Sequence, residues 1–153
     1  MSSWWEERFR KQISEQALKQ NLVEKRRLNE YQERLAEMLS ARIETCFELV
    51  RADRERDYFW SLLSQGFENR GKYYLDRDKK MAFEDLRVAY RMDFPYVNKD
   101  LESDYEKAAE RLFGPKAKQQ VSEFNRDASK RISAVIIQEA QTVSENAARK
   151  KKE

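Results

Sequence analysis

The chain has 153 residues, of which 31 are Lys or Arg and 28 are Asp or Glu, and its formal net charge is +3. This balance gives no whole-chain electrostatic footprint for nucleic acid. The chain contains no histidine and one cysteine, which excludes an internal disulfide framework and the catalytic and metal sites that depend on imidazole. No apolar run approaches the roughly eighteen residues that a membrane-spanning helix needs.

The first predicted element is one long helix over residues 1–65. This stretch has neither glycine nor proline, and apolar residues recur at every third or fourth position, which predicts a helix about 90 Å long. Ala17, Leu28, Leu39 and Val50 are spaced by eleven residues, a period that keeps an apolar row on one side of a nearly straight helix. Because the rest of the chain is too short to cover this helix, we predict an elongated rather than compact molecule whose row needs a partner.

A turn is predicted over residues 66–77, because Gly66 and Gly71 permit backbone conformations that other residues avoid. Two shorter helices follow within residues 78–113, and Pro95 separates them by keeping Phe94 out of helical geometry. Their predicted core positions are Phe83, Leu86, Ala89, Tyr90, Leu101, Tyr105, Ala108, Ala109 and Leu112.

Gly114 and Pro115 end this region and begin a long C-terminal helix, predicted over residues 116–148 and followed by a basic tail at 149–153. The whole chain, residues 1–153, is therefore predicted as a single all-α unit with one very long N-terminal helix, two shorter helices and a long C-terminal helix. The predicted core face of the last helix consists of Val121, Phe124, Ala128, Ile132, Val135, Ile136 and Val143.

Aromatic residues concentrate within residues 58–96, which predicts the main packing nucleus there. These rings have two open roles, as intramolecular core or as an exposed interface hot spot. The apolar row of the first helix and its aromatic start are further candidates for partner contact. The predicted partner-interface residues are Trp4, Trp5, Phe9, Ile13, Leu28, Tyr31, Leu35, Leu39, Trp60, Tyr73 and Tyr74.

Basic residues of the C-terminal helix are the best candidates for contact with phosphate or a lipid headgroup. Acidic residues alternate with them, so a solvated helix face remains the alternative interpretation. The candidate residues are Lys116, Lys118, Arg126, Lys130 and Arg131.

Two stretches resemble ligand-binding motifs without completing them. Residues 66–72 have the spacing of a phosphate-binding P-loop, but Tyr73 stands where the motif requires Ser or Thr, and a helix rather than a strand precedes it. Asp76 and Asp78 begin like a calcium loop, which then lacks its glycine and its final glutamate. We therefore predict no catalytic residue, no cofactor and no metal ion, and we expect that the protein is not an enzyme.

Two function classes remain open. The first is a non-catalytic accessory subunit of a large assembly, whose long helix braces neighbouring subunits; the second is an RNA-associated or ribosomal component that uses the basic C-terminal helix. The balanced charge favours the first class. The expected partners are other protein subunits, with a membrane surface as a further candidate contact, and nucleic acid is not expected.

The location is predicted by a resemblance of type. Glu6, Glu7 and Glu15 near the aromatic start argue against a cleavable transit peptide. Charged, helical, histidine-free chains of this size resemble the accessory subunits of mitochondrial respiratory-chain complexes and ATP synthase. The resemblance implies a peripheral position at the mitochondrial inner membrane, and a cytoplasmic position is the alternative.

Overall fold

The structure is a computed structural model that describes the backbone of residues 3–128 and 133–152 and the side chains of residues 3–123 and 136–149. Its regular elements, within those residues, are all helical. They are α1 (Trp4–Ala52), α2 (Asp57–Tyr74), α3 (Lys79–Asp93), α4 (Lys99–Phe113), α5 (Ala117–Ala128) and α6 (Ser133–Lys152), with a 3-10 turn at Gly114–Lys116. The all-α fold and the very long N-terminal helix agree with the prediction.

The chain divides into two compact units, Met1–Glu37 and Met38–Glu153. The described part of the first unit is the N-terminal portion of α1. Its helix begins with a side-chain cap, in which the amide of Glu6 donates a hydrogen bond to the hydroxyl of Ser3 at 3.4 Å. The second unit contains the end of α1 and all the other helices.

The first helix is shorter than predicted. It ends at Ala52, and α2 begins at Asp57, so the prediction of one helix over residues 1–65 is wrong. The carboxylate of Asp53 accepts a hydrogen bond from the amide of Glu55 at 3.3 Å, and the indole of Trp60 donates to the carbonyl of Arg54 at 2.7 Å. A turn built on an aspartate needs neither glycine nor proline, which is why the distribution of those residues did not reveal it.

The predicted turn over residues 66–77 is also wrong for most of its length, because Gly66 and Gly71 lie inside α2, which ends at Tyr74. Both glycines let α2 approach other helices closely. A Cβ atom on Gly71 would lie 2.6 Å from Cγ of Leu86 on α3, and one on Gly66 would lie 3.1 Å from Cγ1 of Ile43 on α1. The presence of glycine at these two positions is therefore explained by close helix packing and not by a reversal of the chain.

The two short helices begin at side-chain caps. The carboxylate of Asp78 accepts a hydrogen bond from the amide of Met81 at 3.2 Å, and the side-chain oxygen of Asn98 accepts one from the amide of Leu101 at 2.7 Å. α4 ends at Phe113 and is followed by Gly114, whose φ of 59° is a conformation that favours glycine. The core positions predicted for these helices are buried, except that Leu112 is half-buried.

Aromatic rings form the centre of the second unit. The ring of Tyr105 on α4 stacks on Phe83 and on Tyr90 of α3, with centroid distances of 5.6 and 4.8 Å. Phe67 of α2 makes an edge contact with Phe47 of α1 at 6.0 Å. Most of the aromatic segment therefore belongs to the intramolecular core, which is one of the two roles left open by the sequence.

Glu139 anchors α6 on α3. Its two carboxylate oxygens lie 3.0 Å from Nη2 of Arg87 and 2.7 Å from Nη1 of Arg91. Ile136 and Val143 are buried as predicted, and α6 continues to Lys152, so the predicted tail over residues 149–153 is helical up to that residue. Other predicted core positions lie outside the described residues, namely Ile132 and the side chains of Phe124, Ala128 and Val135.

Candidate functional site

The most distinctive surface of the protein lies on the N-terminal part of α1. Every side chain from residue 3 to residue 31 is exposed. Large apolar side chains recur along this segment, and an exposed apolar patch is a common mark of an interaction site. The exposed large apolar residues of α1 are Trp4, Trp5, Phe9, Ile13, Leu18, Leu22, Val23, Leu28, Tyr31 and Met38.

Apolar residues along one side of α1 are buried in the second unit and mostly exposed in the first. Residues three or four apart share one side of a helix. In the second unit the row contains the buried residues Ile43, Phe47 and Val50 and the half-buried Leu39. In the first unit the same spacing continues through Leu28, Tyr31 and Leu35, which we call the α1 row; Leu28 and Tyr31 are exposed and Leu35 is half-buried.

Contacts from α2 explain the buried end of this row. Nη1 of Arg70 donates a hydrogen bond to the hydroxyl of Ser40 at 3.3 Å, and Nη2 of Arg42 donates one to the side chain of Gln65 at 3.3 Å. The contact with Ser40 is made by Arg70, which lies four residues, or about one helical turn, before α2 ends at Tyr74.

Three of the predicted interface residues serve packing within the second unit. Trp60, Tyr73 and Tyr74 are half-buried. Trp60 makes the indole hydrogen bond described above, and Tyr73 makes an edge contact with Tyr74 at 5.0 Å. The guanidinium of Arg77 lies 4.2 Å from the ring centroid of Tyr73. These contacts give the three rings intramolecular roles.

The first turns of α1 carry a separate group of exposed side chains, Trp4, Trp5, Phe9 and Ile13, which we call the aromatic tip. Their exposed fractions are 69%, 72%, 56% and 51%. Trp5, Phe9 and Ile13 share one side of the helix through their four-residue spacing. The guanidinium of Arg8 lies 5.2 Å from the ring centroid of Trp4.

Some exposed apolar residues of α1 were missed by the sequence analysis. Leu18 and Leu22 are one turn apart and lie off the eleven-residue row, on the side of the helix opposite Phe9 and Ile13. Their four-residue spacing is a usable signal for an exposed apolar pair, but it lies outside the eleven-residue period that predicted the row. A helix with apolar residues on two sides has more than one surface available for contact.

The predicted phosphate-contact residues are only partly described. Lys116 and Lys118 are exposed. Arg126 lies within α5, but its side chain is outside the described residues, and so are Lys130 and Arg131 entirely. The structure therefore shows the exposure of two of the five basic side chains.

A buried ion pair in the second unit had no signal in the sequence. Nε and Nη2 of Arg70 donate to the two carboxylate oxygens of Asp85, each at 2.8 Å, and both side chains are almost completely buried. Burial raises the pKa of the Asp85 carboxyl to about 6, although the Arg70 guanidinium acts to lower it. With Ser40, the pair connects α1, α2 and α3.

The thiol of Cys46 and the hydroxyl of Tyr105 are two titratable groups buried in the second unit. Cys46 lies in the core, and burial raises the pKa of its thiol, so the thiolate that nucleophilic chemistry requires is disfavoured. Burial also raises the pKa of the Tyr105 hydroxyl. Among the residues that the structure describes, no group of three or more acidic or cysteine side chains is arranged to hold a metal ion.

None of the described helices combines the length and the apolar character needed to cross a lipid bilayer. Comparison of the chain with models of protein families, with curated protein sequences and with solved protein structures yields no match.

Proposed function

We propose that the protein is a non-catalytic subunit of a multiprotein assembly and that it contacts a neighbouring protein through the α1 row. The observation that supports the proposal most directly is the exposure of Leu28 and Tyr31. Ile43 and Val50 continue the same spacing further along the helix, and both are buried in the core. Burying a side chain of this size stabilises a contact by about 1.5–3 kcal/mol.

The helix itself also gives a reason for a partner. Most helices in proteins owe their stability to the packing of an apolar face and less to the intrinsic preferences of their residues. The α1 row lacks such packing at Leu28 and Tyr31, which are exposed. A protein surface that covers the row would both bury these side chains and stabilise the helix.

Charges beside the α1 row indicate the chemistry of that surface. Arg27 and Arg34 each precede a row residue, are seven positions apart and are exposed. They therefore lie along the same edge of the row, two helical turns apart. We propose that the partner places carboxylates along this edge, because opposite charges at the rim of an interface favour encounter and fix the orientation of binding.

Substitution of the α1 row tests this proposal in the native cell. A variant with Leu28→Gln, Tyr31→Gln and Leu35→Gln is compared with Glu30→Gln/Glu33→Gln, which changes the opposite side of the same turns. Native size fractionation should place the wild type and the control in a large assembly and the row variant in free fractions. Recovery of the row variant in the same assembly would contradict the proposal.

For the location we propose the periphery of the mitochondrial inner membrane. The support is the resemblance of type to accessory subunits, together with the apolar surface of α1. Organelle fractionation tests it, since recovery of the protein in the cytoplasmic fraction would favour the alternative location.

An RNA-associated role is the second candidate, supported by the exposure of Lys116 and Lys118. Treating the native fractions with ribonuclease separates the two functions. An assembly that keeps its size after treatment supports a protein partner. An assembly that loses this chain on treatment supports the RNA-associated role.

A further inference from the structure

We propose that the aromatic tip of α1 binds the surface of a phospholipid bilayer through Trp5, Phe9 and Ile13, the three residues that share one side of the helix. This surface is distinct from the α1 row, so the inference does not depend on the protein contact proposed above. It assigns the first turns of α1 to a lipid surface and the row near Leu28 to a protein.

The composition of the tip fits the boundary between headgroups and acyl chains. Trp side chains are enriched at that boundary because an indole combines a large apolar ring with one hydrogen-bond donor. Trp5, Phe9 and Ile13 form a single row over about two helical turns. After Ile13 the row continues through Gln16 and Gln20, so the apolar surface on this side is confined to the first turns.

The charges beside the tip complement lipid phosphate. Arg8 and Arg10 are the immediate neighbours of Phe9, and successive residues of a helix point about 100° apart, which places one arginine on each side of the row. Both are exposed, and long basic side chains can reach phosphate while an apolar row faces the acyl chains. Since Glu6 and Glu7 occupy the same turns, the net charge of the tip is small and its aromatic rings dominate the attraction.

The size of the tip favours a lipid surface over a protein. A single surface can cover Trp5, Phe9 and Ile13 but not Trp4 as well, because nine residues place Trp4 and Ile13 on opposite sides of the helix. Covering these three side chains would remove roughly 450 Å² from water, given 150–250 Å² for a buried aromatic residue. Stable protein interfaces bury roughly 800 Å² on each partner. A bilayer has no such minimum area, because partition depends on the apolar surface inserted and on the charge beside it.

The test uses the full chain and vesicles of two compositions, phosphatidylcholine alone and phosphatidylcholine mixed with phosphatidylglycerol. Co-sedimentation should show binding to both, a few-fold tighter with phosphatidylglycerol. The Trp5→Ala/Phe9→Ala variant should lower the partition coefficient by about tenfold or more. The matched control, Leu18→Ala/Leu22→Ala, removes two exposed apolar side chains from the other side of the helix and should stay within about twofold of wild type.

A second measurement locates the indoles directly. In a Trp60→Phe background, the remaining tryptophans are Trp4 and Trp5, so their emission should shift to shorter wavelength with vesicles and be quenched by brominated acyl chains. Absence of vesicle binding by the wild type overturns the proposal, and so does equal loss in the tip and control variants. A tip variant that binds vesicles normally but fails to self-associate would assign the tip to a second copy of the chain and would also overturn it. None of these outcomes bears on the α1 row, whose test uses native assemblies.

Discussion

Arg70 and Asp85 form a two-point ion pair in the interior, with both nitrogen–oxygen distances at 2.8 Å and almost no exposure of either side chain. The pair bridges the two helices whose close contact depends on Gly71, and it also holds Ser40 on α1. Two charges taken from water carry a large desolvation cost, which good geometry offsets only in part. We therefore expect the pair to contribute less to the stability of the fold than its short distances suggest.

Removing one charge of the Arg70–Asp85 pair should destabilise the protein, whereas removing both charges should not. Asp85→Leu leaves the Arg70 guanidinium buried without its carboxylate, so we expect the free energy of unfolding to fall by about 3 kcal/mol. The double variant Arg70→Met/Asp85→Leu should be at least as stable as the wild type at neutral pH. Denaturant unfolding of the three proteins measures both effects. A double variant less stable than Asp85→Leu alone would contradict this account.

The titration of Asp85 gives a prediction with a definite sign. Folding raises the pKa of this carboxyl from 3.8 to about 6, chiefly because burial disfavours its charged form. The protonated carboxyl therefore favours the folded state. Its contribution to the free energy of unfolding is complete below the pKa of Asp85 in the unfolded chain, and it is lost as pH rises through the pKa of Asp85 in the folded protein. We expect the unfolding free energy of the wild type, minus that of Arg70→Met/Asp85→Leu, to decrease between pH 3.8 and about 6 and then to level off. A difference that increases over this interval would show that folding lowers the pKa.

Gly71 should not tolerate a side chain. Its added Cβ would lie 2.6 Å from Cγ and 2.8 Å from Cδ2 of Leu86, so Gly71→Ala should lower the free energy of unfolding by about 1–3 kcal/mol despite the better helix propensity of alanine. Shortening the neighbour, as in Gly71→Ala/Leu86→Ala, should cost less than the sum of the two single changes. Thermal unfolding of the four proteins measures this coupling, and strict additivity would refute the close contact.

Tyr105→Phe should leave stability unchanged or raise it by up to about 1 kcal/mol. The buried hydroxyl of Tyr105 has no hydrogen-bond partner among the residues that the structure describes, so its removal deletes an unpaired polar group. The stacking on Phe83 and Tyr90 is retained by phenylalanine. Tyr105→Leu is the control, because it removes the ring and should destabilise the protein in a urea titration. A clear loss of stability in Tyr105→Phe would reveal a partner for the hydroxyl.

The sequence predicted the helical class because the spacing of apolar residues is a local pattern. Asp78 and Asn98 precede apolar runs at cap positions, and both caps are present. The break after Ala52 was missed because Asp53 forms the turn without glycine or proline. Gly66 and Gly71 were misinterpreted because their role depends on Ile43 and Leu86, which are distant in the chain.

The apolar row of α1 was predictable from the sequence, but the part of it that is exposed was not. Spacing alone identified the apolar row of α1, but Leu28 and Ile43 have equivalent positions in it. The burial of Ile43 goes with the contacts that α2 makes to Ser40 and Arg42, and the spacing of the row does not reveal them. The Arg70–Asp85 pair lacked any sequence signal, since its partners are fifteen positions apart and resemble the many other charged residues.

Hydrogen exchange across α1 tests the central claim most directly. In the isolated chain, the amides near Ile43 and Val50 should be protected by the core, whereas those of residues 28–35 should exchange rapidly because their helix lacks packing. In the native assembly, residues 28–35 should gain roughly a hundredfold in protection, which corresponds to about 2.7 kcal/mol. Equal protection of residues 28–35 in the free and assembled protein would contradict the account.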